Sequence, residues 1–222
     1  MVTMSNVSQK IRHIFEALLT VLLFGMQTIF DMGVWMGIMS IPLLPYVWLV
    51  LTDNNYANAF WFNVEFMLFA KNYWVGRIIA LTGVFVLLLA LAQFIWSRYK
   101  GHEIVQSGLY SKIRHPQFTG IIILTIGLTV MVATSRHSIN ALFENTGLWL
   151  LQVLGYISIA KYEDWKLLKK LGDNYRHYRQ SVPFLFPIKN PKRIPEILFT
   201  ILIALLIWLI LLIFPYNLIR IT

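Results

Sequence analysis

Residues 194–214, IPEILFTILIALLIWLILLIF, contain a single ionisable side chain, Glu196, in a run apolar on every face of a helix. A run of this length and uniformity spans a bilayer, because only hydrocarbon accepts it on all sides while the helix satisfies its own backbone. Residues 75–96 and 116–134 read the same way, and 148–160 does so with positions borrowed from the Ala141 side. Trp74, Trp96, Trp149 and Tyr216 stand at or near the ends of these runs, where amphipathic rings favour the membrane interface. The chain is therefore expected to be all-α, a polytopic helical membrane protein.

Composition agrees: 58% of residues are hydrophobic and 13% charged, with a mean hydropathy of +0.64. Cysteine is absent, which excludes disulfides, iron–sulfur clusters, thiolate zinc sites and cysteine nucleophiles. The net charge of +9 suggests nucleic acid only until its residues are located. Of 19 Lys and Arg, four lie in 97–115 and nine in 161–193, both flanking apolar spans. That placement marks the cytoplasmic side of a membrane protein and not a nucleic-acid footprint.

Towards the N-terminus, 17–30 and 32–51 are both apolar and are separated by Asp31. Residues 17–30 either span or lie in the interface with Lys10 and Arg12 inside, giving five or six transmembrane helices. No small-residue cleavage site follows 24–31, so this segment is expected to be retained. Residues 54–74, aromatic and mildly polar with Glu65 and Lys71, read as an interfacial stretch on the far side. Without repeats or linkers the chain forms one domain, 1–222: N-terminal spans in 1–96, a core in 97–187 and a further span in 188–222. After 160, Leu167, Leu168 and Leu171 share a face opposite Lys166, Lys169 and Lys170, describing a helix that leaves the membrane and ends at Gly172.

Three polar constellations stand against this background. In GHEIVQSGLYSKIRHPQFTG, residues 101–120, Pro116 suits the first turn of a helix and pushes His115 out of it. Arg114 and His115 then stand at a helix N-terminus, an arrangement that attracts a carboxylate or phosphate on the cytoplasmic side. Gly120, one turn inside, admits either a ligand or a neighbouring helix. The plainer alternative has Arg114 snorkelling to headgroups, His115 capping and Gly120 packing. Glu163 and Asp164, beside Lys161, follow a span closely enough to need partners or a task, the plainer reading being a pair between Glu163 and Lys166. The third constellation, Tyr175, Tyr178, Pro183, Phe184, Phe186 and Pro187, reads as an interfacial loop packed on helix ends.

In order and spacing, these pieces resemble the isoprenylcysteine carboxyl methyltransferase family and the wider set of integral membrane methyltransferases that includes phospholipid methyltransferases. The family pattern runs G-H…L-V…G-x-Y, then R-H-P-x-[YF]-x-G opening a span, then E-[ED]-x-x-L, then G-[DE]-x-Y-x-x-Y…P. It is met here by Gly101, His102, Ile104, Val105, Gly108 and Tyr110; by Arg114, His115, Pro116, Phe118 and Gly120; by Glu163, Asp164 and Leu167; and by Gly172, Asp173, Tyr175, Tyr178, Val182, Pro183 and Pro187. The resemblance covers 97–187. Lys161 stands where the family often has an arginine, Phe118 replaces the usual Tyr, Asp164 replaces the second Glu, and 194–214 adds a span where compact members stop.

The resemblance implies S-adenosylmethionine as cofactor, held at the cytoplasmic face by His102, Val105, Gly108, Tyr110, Arg114, His115, Pro116, Phe118, Gly120, Glu163, Asp164, Tyr175 and Tyr178, with Arg114 and Glu163 as the catalytic pair and no metal. No G-x-G-x-x-G follows a strand, so a soluble Rossmann-type methyltransferase is excluded. Methyl transfer is an in-line displacement that needs alignment and exclusion of water more than catalytic side chains. The expected acceptor is amphiphilic and reaches the site from the bilayer, a prenylcysteine, a lipid amine and a small thiol all remaining open. The competing readings are an NADPH-dependent reductase of the sterol reductase type, which shares the R-H-P-x-Y-x-G block, and a non-catalytic membrane scaffold.

Overall fold

The computed structural model describes residues 33–34, 37–45, 74–135, 139–191 and 193–221. The expectations for 17–30, for 54–73 and for most of 32–51 fall outside these residues. The chain divides into two compact units, Met1–Ile41 and Pro42–Thr222. Everything that follows concerns the second.

Among the described residues its long helices are α1 Trp74–Tyr99, α2 Pro116–Ser135, α3 Ile139–Ser181 and α4 Glu196–Ile221. Short 3-10 turns at Ile41–Leu43 and Gly108–Ser111 complete the regular structure, and every described element is helical. Helix α1 and the Glu196–Ile213 part of α4 are long and apolar enough to cross a membrane, with mean hydropathies of 2.6 and 3.0. At 1.5 Å per residue, the 26 residues of α1 reach about 39 Å, more than a hydrocarbon core requires. Both leave large apolar side chains exposed, such as Phe85 and Leu88 on α1 and Leu206 and Ile210 on α4, the surface a lipid-facing helix carries. The apolar part of α2, Pro116–Met131, is shorter.

Helix α2 is the central element. Every residue from Ile113 to Ile122 is buried. Thr125 and Thr129 return their hydroxyls to carbonyls one turn back, so these polar groups are satisfied within the helix. Gln152 of α3 donates to the Thr125 hydroxyl at 3.2 Å, tying the two helices together.

Helices α1 and α2 pack closely along a seam of glycines spaced two turns apart, Gly76 and Gly83 on one and Gly120 and Gly127 on the other. A Cβ on Gly120 would lie 2.6 Å from the Leu87 nitrogen, and one on Gly76 would lie 2.8 Å from the Gly127 carbonyl oxygen. Small residues permit this approach, which stands in for the hydrophobic drive that lipid does not supply. Of the two uses open to Gly120, close packing of a neighbouring helix is the one observed. Gly83→Ala and Gly120→Ala should each lower stability by about 1–3 kcal/mol, because the added methyl meets backbone that cannot rotate away. Thermal unfolding in detergent measures it.

Helix α3 is broken at Gly172, whose φ of 55° and ψ of −126° lie in a region open to glycine and strained for other residues. The expected stop at Gly172 is thus a bend: the following residues contain no breaker before Pro183, and helix resumes through Ser181. Tyr175 and Tyr178 consequently lie on a helical segment, while Pro183 to Pro187 form the irregular chain beyond it. Leu167, Leu168 and Leu171 from before the bend pack with Tyr175, Tyr178 and Val182 from after it, and Ile104 joins them.

Candidate functional site

The bend decides the site. Tyr175 donates its hydroxyl to Asp164, eleven residues earlier on the same helix. On a straight helix that separation is about 16 Å along the axis, beyond the reach of a tyrosine. Only the reversal at Gly172 closes it.

Asp164 is the hub and is almost fully buried. One carboxylate oxygen receives Tyr175 and lies 2.9 Å from His115 Nε2; the other receives Arg114 Nη1. Burial alone would raise its pKa, but these donors, His115 foremost, outweigh burial and hold it below the ordinary carboxylate value. His115 is equally buried. Burial disfavours its charged form, yet Asp164 and Glu163 reverse the balance and raise its pKa to about 9. The site therefore holds an imidazolium at neutral pH.

Arg114 is fixed on every side. Its amide donates to Pro183 O at 2.9 Å, Nε donates to Val182 O at 3.1 Å, Nη1 pairs with Asp164 and Nη2 with Glu196 of α4. Its guanidinium lies 5.1 Å from the centre of the Phe184 ring. The Thr119 hydroxyl donates to Leu185 O at 2.6 Å, so residues 182–185 are bound across the start of α2. The anion receptor expected at Arg114 and the α2 N-terminus is present, and carboxylates of the chain itself fill it. The snorkelling alternative does not describe a side chain this buried.

Glu163 differs from the rest. Its Oε2 lies 3.3 Å from His115 Nδ1, an ion pair without good hydrogen-bond geometry, and its side chain is 20% exposed where that of Asp164 is 1%. Among the described cluster residues it is a carboxylate with room for a further donor beside His115.

The sequence-derived site residues separate into groups. Arg114, His115, Pro116, Glu163, Asp164 and Tyr175 form the charged cluster, with the fully buried Phe118 ring stacked between His115 and Tyr156 at 5.7 and 5.3 Å. Val105 and Tyr110 pack with Ala90 of α1, and Gly108, at φ +63°, lies against the Gln93 side chain, whose oxygen receives the Leu109 amide at 2.8 Å. Gly120 belongs to the helix seam. His102 lines a cleft of about 790 Å³ between the chain after α1 and the segment after the bend, with Glu103, Asn174 and His177 among its other walls.

Tyr178 connects the groups: it lines the cleft and donates to Tyr110 O at 2.7 Å. Burial pushes the phenols of Tyr110, Tyr175 and Tyr178 upward from the ordinary tyrosine value, so all three remain donors and none serves as a base.

Glu196 and Arg179 were not among the residues singled out from sequence. Glu196 bonds Arg114 through one oxygen and lies 3.5 Å from Arg179 Nη2 through the other. A signal for it existed: Glu196 is the acidic residue in the first turn of an otherwise apolar helix, a placement that requires a partner.

Residues 64–154 match the Isoprenylcysteine carboxyl methyltransferase (ICMT) family. Among characterised proteins, the chain is 30% identical over 125 residues to a methanethiol S-methyltransferase of Mycobacterium tuberculosis, covering 52% of this chain and 46% of that protein. It is 28% identical over 91 residues to a protein-S-isoprenylcysteine O-methyltransferase of Schizosaccharomyces pombe, covering 41% and 36%. With the Arabidopsis thaliana protein-S-isoprenylcysteine O-methyltransferase B it shares 29% over 93 residues, covering 42% and 44%. The chain thus spans less than half the length of the relatives it matches. No solved structure matches it.

Proposed function

We propose that the chain is a member of the ICMT family matched by residues 64–154, and an S-adenosylmethionine-dependent methyltransferase acting on an acceptor that partitions into the bilayer. The observation that carries the reading is the Glu163 carboxylate, partly exposed, held by a single loose ion pair to His115 where Asp164 is engaged on both oxygens. A cofactor's ammonium group would suit this carboxylate, and a charged donor there makes a bond of roughly 1.5–3 kcal/mol. The cleft walled by His102 and Tyr178 has a volume within the range of small-molecule sites, although none of its walls comes from the charged cluster. Bound there, the cofactor supplies an electrophilic methyl group.

In this reading the protein's own part is chiefly electrostatic and steric. Glu163 holds the cofactor's cationic end and His115 orients the Glu163 carboxylate. Arg114 is a positioning residue: with its donors engaged within the chain, it orients Asp164 and so His115. This assigns the alignment of acceptor and methyl group to a rigid, nearly dry site at the membrane edge. The basic segments 97–115 and 161–193 face the cytoplasm, and the N-terminal apolar runs bring the spans to five or six. The printed names of the relatives cover a protein prenylcysteine and a small thiol, and we propose an acceptor of that kind, apolar with one nucleophilic end.

The test is calorimetric titration of the purified protein in detergent with S-adenosylhomocysteine and, separately, NADPH. Saturable binding of the nucleoside alone is expected, and Glu163→Gln should weaken it at least about tenfold. Binding of NADPH alone, or of neither ligand by protein shown to be folded, overturns the reading.

A further inference from the structure

Glu163, His115, Asp164, Arg114, Glu196 and Arg179 form an unbroken series of alternating charge. Three cations face three carboxylates. Arg179 adds a second, longer approach to Asp164 at 3.9 Å. The series begins at Glu163 on α3, passes through Glu196 on α4 and returns to α3 at Arg179, after the bend.

Within this series Glu196 bridges two arginines, its Oε1 on Arg114 and its Oε2 towards Arg179. A guanidinium is a rigid planar fork, so where it is held at Nε, Nη1 and Nη2 its orientation is fully determined. Asp164 is in turn oriented by Arg114, and the Asp164 oxygens set the His115 ring with Nδ1 towards Glu163. We propose that Glu196 is a positioning residue of the site: by holding Arg114 against Asp164, it fixes the His115 imidazole and, through it, the Glu163 acceptor. The last step, that this acceptor receives a cofactor's cationic group, rests on the methyltransferase reading. The earlier steps do not.

The competing role is a staple that merely attaches the cytoplasmic end of α4. The two roles separate at His115. The groups that face it, directly or through Asp164, are Glu163 and Asp164 before the bend, Tyr175 and Arg179 after it, Arg114 beside it and Glu196 from α4. In a positioning role, Glu196→Gln keeps an acceptor for Arg114 but removes a negative charge, and the imidazolium becomes less favoured.

The experiment is an NMR titration of the histidine rings of the full-length protein in detergent, with the His115 signal assigned from its loss in His115→Gln. Glu196→Gln should lower the His115 midpoint by about half a unit or more. Glu196→Asp should restore it towards wild type, and Arg179→Gln, which removes a positive charge, should move it upward. An unchanged midpoint in Glu196→Gln, with only the unfolding temperature reduced, makes Glu196 a staple and overturns the proposal. Affinity for S-adenosylhomocysteine is read on the same samples, and Glu196→Gln should weaken it several-fold. If wild type binds no nucleoside while the midpoints move as stated, the positioning of His115 stands and the methyltransferase reading falls.

Discussion

Arg114→Ala should destabilise the protein by about 3–5 kcal/mol, enough that most of the variant fails to survive extraction as folded protein. The cost comes from what is left behind. Asp164 would keep its negative charge in a buried position with one strong partner gone, Glu196 would lose its link to α2, and the carbonyl of Val182 would lose a donor. From sequence alone, Arg114 is expected to hold the cofactor, and its removal to spare the fold. In the structure Nε, Nη1 and Nη2 each bond a group of the chain, so the substitution is expected to act on the fold as well. Arg114→Lys should recover only part of the loss, since one ammonium cannot reproduce a planar fork contacting three acceptors. Thermal unfolding in detergent and monodispersity on gel filtration are the readouts. An Arg114→Ala protein as stable as wild type would mean that the network does not exist as described.

The second large effect depends on pH. The His115 pKa is raised from 6.5 to about 9, so folding favours the imidazolium. The associated stabilisation is fully present below about pH 6.5 and is lost as pH rises through 9. For a shift of this size it is on the order of 3 kcal/mol. Asp164 acts in the opposite sense: its pKa is lowered, so its contribution is present above the ordinary carboxylate value and declines as pH falls below it. Unfolding temperature measured against pH should therefore peak in the mildly acidic range and decline between pH 6.5 and 9. In His115→Gln, whose amide can still donate to Asp164, the alkaline decline should largely vanish. A wild-type profile flat from pH 6 to 9 would show that His115 is not protonated in the folded protein.

The fold was legible wherever one element decided its own surroundings. Uniform apolar runs near bilayer length give helices α1 and α4 at nearly their observed limits, and Pro116 marks the start of α2 because its ring suits a first helical turn. The charged cluster was legible in its members but less so in its wiring. Arg114, His115, Glu163 and Asp164 stand out as polar residues beside lipid, yet local spacing favours Glu163 with Lys166 over the contact between Glu163 and His115, 48 positions apart, that the fold creates. The bend at Gly172 hid the rest. A glycine at a helix end and a glycine within a reversal look alike in sequence, and only the burial of Tyr175 and Tyr178 against Leu167, Leu168 and Leu171 selects the second. Glu196 was hidden by context, because its helix reads as a membrane span and its single charge as an edge residue.

The burial of the charge series also governs how the protein responds to ionic strength. Mobile ions screen exposed charges over about 8–10 Å at ordinary salt, but they do not enter a dry interior. In its middle, where Arg114, His115 and Asp164 are nearly sealed, the series should be indifferent to salt. At its outer end Arg179 and Glu196 are 31% and 23% exposed, and there added electrolyte competes directly. Concentrated salt should therefore loosen the attachment of the last helix well before it disturbs the hub at Asp164.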